Sequence, residues 1–132
     1  MKIRIVLDEE DGIDSLDPSG EILISDGRSL ISEKHTYLDS WLDALIEGLK
    51  EIQAGKRASI DLVEEADPLV FEPQNGGVRL TYGNTTVSVD SIEEFHRALR
   101  SATEDFLNRV NSAEEASENV LLDSIRRFSE HA

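Results

Sequence analysis

The chain has no cysteine, so neither a disulfide nor a thiolate-bound metal can hold it together. It has one tryptophan, and aromatic residues make up 5% of its 132 positions, a lean supply for a core. Bases are scarce as well: 13 Lys and Arg stand against 28 Asp and Glu, leaving a formal charge of −15. Such a field repels nucleic-acid phosphate and anionic lipid head groups and attracts a basic protein surface. The bland alternative is the surface of a halophile, where self-repelling charge serves solubility. No apolar run approaches the length of a membrane-spanning helix. The first residues carry Lys2 and Arg4 and then acids from Asp8, which leaves no apolar stretch for a signal peptide. The expected location is the cytoplasm.

What is present is the pattern of one α+β domain over residues 1–132. Ile3, Ile5 and Leu7 alternate as in a strand, and residues 21–25 read as a second strand ending at the turn residues Asp26 and Gly27. A returning strand is expected at 28–32. Leu38, Trp41, Leu42, Leu45, Ile46, Leu49 and Ile52 fall at helical spacing, predicting a helix from Thr36 or Tyr37 to Gln53 with Gly55 as its stop. Residues 58–64 alternate as a strand. Residues 69–72, 78–82 and 85–89 form a three-stranded meander, with Asn75-Gly76-Gly77 and Gly83-Asn84 as hairpin turns. Ser91 with Glu94, and Ser112 with Glu115, fit capping boxes that open two further helices. The expectation is therefore an antiparallel sheet packed against about three helices in two layers.

The densest feature is the acidic stretch from Leu7 to Glu21, with seven carboxylates in fifteen residues and no base. An EF-hand with Gly12 at loop position six would need oxygen ligands where Leu7 and Pro18 stand, at the first and last loop positions, so the stretch fails as a calcium loop. A weak cation site in 8–21 stays open. His35, His96 and His131 are far apart with no HxH or HxxxH pairing, so no metal and no cofactor is expected. No GxSxG is present, and Gly76, Gly77 and Gly83 stand in hairpin turns and not ahead of a helix, so neither a nucleophile elbow nor a phosphate loop is predicted. His35 with Asp39 at the start of the first helix, and Glu64, Glu65 and Asp67 at a strand end, read first as capping and surface charge.

Asp39, Asp43, Glu47 and Glu51 recur every four residues along the first helix, roughly opposite its apolar stripe. Like charges at this spacing repel by a few tenths of a kcal/mol per pair, and an ordinary solvated face would interleave lysines. One reading is a solvated face in an acidic protein. The functional reading is a surface for a basic partner, with Asp8, Glu9, Glu10 and Asp11 contributing to it. Small size, an α+β pattern and strong acidity together resemble the small immunity proteins of bacterial toxin systems. That resemblance implies a non-catalytic inhibitor that covers a toxin's active site; it lies in the character of the whole chain, and no residue role is carried over. A homodimer through the meander edge or the third helix is the second reading. A small enzyme or ligand carrier using Glu64, Glu65 or His35 in a cleft is the third.

Overall fold

The computed structural model describes residues 1–8, 18–113 and 120–131. The elements are β1 (Lys2–Leu7), β2 (Ser19–Ser25), β3 (Leu30–Tyr37), α1 (Leu38–Gln53), β4 (Ala58–Ile60), β5 (Leu69–Gln74), β6 (Gly77–Tyr82), β7 (Thr85–Val89), α2 (Ile92–Ala113) and α3 (Val120–His131). This is an α+β fold with two antiparallel sheets, β1-β2-β3 and β4-β5-β6-β7. The expected meander is β5-β6-β7, and β4 adds to its outer side.

Alternation decides which side of each strand is buried. Ile3, Ile5 and Leu7 of β1, Ile22 and Ile24 of β2, and Ile31 of β3 face inward with Leu69, Phe71, Val78, Leu80, Val87 and Val89 of the second sheet. The two sheets meet along a seam where β3 lies against β7. The seam is tied from a turn: Asp26 accepts the N–H groups of Arg28 and Ser29 within its own hairpin and, through Oδ2, the N–H of Ser88 on β7 at 3.0 Å. Both α1 and α2 contact strands of each sheet, and α3 packs on both of these helices.

Local signals account for the helix ends. Gly55, at φ +76°, donates to Ile52 O while Lys56 donates to Glu51 O, the paired bonds that close a helix on a left-handed glycine. Ser91 Oγ accepts the Glu94 N–H at 3.3 Å, so one half of the expected capping box forms; the Glu94 carboxylate meets the Met1 amino group instead. The Ser112 and Glu115 box lies outside the described side chains.

Two expectations are corrected. The strand expected at 28–32 is Leu30–Tyr37, longer and polar in its second half, because Glu33 and Thr36 find partners outside the sheet. The strand expected at 58–64 stops at Ile60, because the Val63 N–H turns to Ser40 Oγ at 3.0 Å instead of continuing a ladder. Within the second sheet β5 pairs with β4, and β7 lies against β3 of the first sheet. α3 lies against α1 and α2, with Ile125 fully buried.

Candidate functional site: an acidic pole at the start of the first helix

β3 runs into α1 with no intervening loop. His35 makes the corner with φ +53°, an unusual value for a residue with a β-carbon, and Leu38 N–H donates to Pro18 O at 2.9 Å beside it. The corner turns Thr36 inward, where it is 2% exposed. Its hydroxyl accepts the Trp41 indole N–H at 2.9 Å and donates to Glu65 Oε2 at 2.7 Å. A buried indole donor is thus satisfied through one hydroxyl, and that hydroxyl fixes a carboxylate of the β4–β5 connection.

Tyr82 closes the other side. Its ring meets Trp41 edge-on at 4.9 Å between centroids, and its hydroxyl donates to Glu33 Oε2 at 2.8 Å. Burial raises the Tyr82 pKa, and the bond to Glu33 and the charges of Glu65, Glu33 and Asp67 push it further in the same direction. Tyr82 therefore stays a neutral donor at any ordinary pH. Asp67 sits over the β6–β7 turn, where a side chain on Gly83 would come within 3.4 Å of its Oδ2. Glu33, Glu65 and Asp67 converge on one tyrosine from β3 and from the β4–β5 connection.

The rim extends this charge. Residues 60–68 hold Asp61, Glu64, Glu65 and Asp67 and no base. Glu64 takes φ +61°, a second non-glycine residue in the left-handed region at this end of the molecule. Val63, between Leu62 and Glu64, is 51% exposed, an apolar knob among carboxylates. Asp8 lies at the end of β1, 3.5 Å from His35 Nδ1 and also 3.5 Å from Ser19 Oγ. Ionised carboxylates accept hydrogen bonds and do not donate them. The arrangement suits guanidinium or ammonium groups with an apolar contact beside them.

The predicted site residues are divided by the structure. Asp8 belongs to the pole, whereas Glu9, Glu10 and Asp11, with most of the 8–21 stretch and its weak cation site, lie outside the described residues. The row on α1 is not one open face. Asp39 is 5% exposed, and its Oδ1 accepts the Ser40 N–H. Asp43 is half-buried where α3 crosses and bonds Ser124; burial raises its pKa despite that bond. Glu47 is exposed and Glu51 half-exposed. At about 1.5 Å rise per residue, Glu51 stands roughly 18 Å along the axis from Asp39. The reason is that α1 is covered on more than one side, by both sheets and by α3.

Sequence reasoning missed the union of Glu33, Thr36, Trp41, Glu65 and Tyr82. Its parts were visible as the 35–39 and 64–67 groups, but the contacts join residues 29 and 49 positions apart and no spacing rule reaches that far. Among the described residues no group of three or more His, Asp or Glu side chains could hold a metal ion, and no helix is long and apolar enough to cross a membrane. Compared with models of protein families, with curated proteins and with solved structures, the chain gives no match.

Proposed function

We propose that this protein is a non-catalytic binding domain of the cytoplasm that meets a basic partner protein through its acidic pole. The observation that carries this reading is the convergence of Glu33, Glu65 and Asp67 on Tyr82, with exposed Val63 beside them. Carboxylates fixed by neutral donors lose little side-chain freedom when a Lys or Arg arrives, and an apolar knob at the centre of such a patch supports the contact by excluding water. Inhibition of a toxin, as in immunity proteins, is one role that such a surface fits.

The test is a pull-down with the tagged chain from lysate of its own source, eluted by a salt gradient, alongside an Asp61→Lys, Asp67→Lys double variant and a Glu47→Lys control. The expected result is one stoichiometric basic protein, released by salt, held about tenfold less well by the double variant and unchanged by the control. Toxicity of that partner to cells lacking this chain would establish the inhibitor role. Equal retention by wild type and double variant sinks the pole as the binding surface.

A further inference from the structure

β1 is an outer strand of its sheet, and one side of it pairs with β2 while, among the described residues, no strand lies beyond the other. The direction of its backbone groups follows from one bond. Asp8 N–H donates to Ser19 O, toward β2, so alternate residues Val6, Arg4 and Lys2 point the same way. Ile3, Ile5 and Leu7 therefore present their N–H and C=O groups on the open side. Of the other sheet-end strands, β3 and β7 lie against each other and β4 is three residues long, whereas β1 offers six, a pairing length of about 20 Å.

The open side is also a groove. Two adjoining hollows of about 470 and 330 Å³ share Ile3 and Ser101 and run between β1 and α2. Both inward residues (Ile3, Ile5) and outward residues (Arg4, Val6) line the larger one, which places the space against the strand's backbone edge and not over either face. The opposite wall offers small side chains at Ala98, Ser101 and Ala102 of α2. Arg97 and Arg109 stand further along the same wall.

We propose that this groove takes a further β-strand from another polypeptide, an extended segment in which acidic residues alternate with small apolar ones. Charge selects this occupant. Around the groove Glu94 is held by the Met1 amino group, Arg97 pairs with Glu93, and Arg109 pairs with Asp105. Lys2 and Arg4 pair with no acid among the described residues, and they stand two apart on the outward face of the outer strand. Opposite-charge pairs across neighbouring strands stabilise and like-charge pairs oppose. Acids at alternate positions of the incoming strand meet Lys2 and Arg4, and its small apolar residues face Ile3, Ile5 and Ala102. A second copy of β1 would bring Lys2 and Arg4 against their own kind. Main-chain bonds to the edge, with alternate side chains read separately, are how sheets recognise extended peptides. The site is distinct from the acidic pole and does not depend on it.

The test uses the full chain, ¹⁵N-labelled, and a fluorescent capped heptapeptide of alternating Glu and Val. Saturable binding is expected by anisotropy, with amide exchange at Ile3, Ile5 and Leu7 slowed about tenfold or more. A peptide with Lys for every Glu should not bind, and Arg4→Glu should weaken the Glu peptide about fivefold. Two further peptides, N-methylated at one or the other alternate set of residues, read the geometry without altering the protein. One set faces β1 and its methylation should abolish binding; the other should leave it intact. Absence of binding, equal tolerance of both methylated peptides, or equal binding of the Lys peptide overturns the proposal. So does protection of the same three amides without peptide in a sample that sediments as a dimer, since a second copy would then occupy the edge.

Discussion

Asp26, in the turn between β2 and β3, accepts the backbone N–H of Ser88 at 3.0 Å although the two are 62 positions apart. The same carboxylate holds its own turn together. These backbone donors, the Ser88 N–H first, lower the Asp26 pKa from 3.8 to about 2. A carboxylate with a depressed folded-state value contributes stability above its unfolded value and loses it as pH falls. The contribution of Asp26 should therefore be whole above pH 3.8 and vanish as the pH drops through about 2. Urea midpoints of wild type and Asp26→Ala, measured from pH 7 to pH 2, should converge across that window. Parallel curves would show that the charge of Asp26 does not matter to the fold.

Asp43 works in the opposite sense. Burial beside α3 raises its pKa, against the help of Ser124. Its charge is therefore a load on the folded state, felt above its raised value and absent below the model-peptide range near 3.8. Asp43→Asn keeps the shape and a hydrogen-bonding group. It should raise the melting temperature at pH 7, with the gain fading as the pH is lowered toward 4. A lower melting temperature at pH 7 would mean that the Ser124 bond outweighs burial.

Thr36→Val keeps the volume of the side chain and removes its oxygen. The Trp41 indole N–H then loses its acceptor and Glu65 its donor. An unsatisfied buried donor costs about 1–3 kcal/mol, and denaturant unfolding should show a loss in that range. The companion Trp41→Phe removes the indole donor, so the pair of substitutions together should lose less than the sum of the two. Strict additivity would show that the bond carries no coupling.

Gly48 lies in the middle of α1, where alanine would ordinarily add about 1 kcal/mol of helix propensity. Here a β-carbon would overlap the Phe71 ring, itself fully buried. Overpacking of a filled core costs about 1–3 kcal/mol, so Gly48→Ala should destabilise the protein on balance. Gly48→Ala with Phe71→Leu should recover part of the loss. A stabilised single variant would mean that the Phe71 ring moves aside freely.

The legible parts of this fold are those whose physics is local. The β5-β6-β7 register follows from alternation and two hairpin turns, and the ends of α1 follow from its stripe and from Gly55. The second half of β3 was not legible, because Glu33, Lys34, His35 and Thr36 carry no apolar alternation and the partners that hold Glu33 and Thr36 are remote. The burial of Asp39 and Asp43 was missed for a related reason. Ser40, Ala44 and Gly48 mark a second packed side of α1, but small side chains leave little trace in a hydrophobicity pattern. Of the expected binding residues, Asp8 sits in the pole, while Tyr82, Glu33 and Glu65 entered it only through contacts that cross the sheets.

In both sheets every strand is hydrogen-bonded to its neighbour in the chain, so each sheet can assemble from consecutive strands. The seam between the two sheets, where β3 lies against β7, is fastened by Asp26 to Ser88 of β7 and by Glu33 to Tyr82 of β6, and there distant parts of the chain must find each other. The consequence is kinetic. Closing the seam joins positions 62 and 49 apart, and its side-chain fasteners are expected to form after the meanders exist. In a chevron experiment, Asp26→Ala and Tyr82→Phe should steepen the loss of the native state by speeding unfolding, while the folding limb stays close to that of wild type. The molecule then behaves as two quickly knitted cloths joined by a late row of buttons, and the buttons set how long it stays closed.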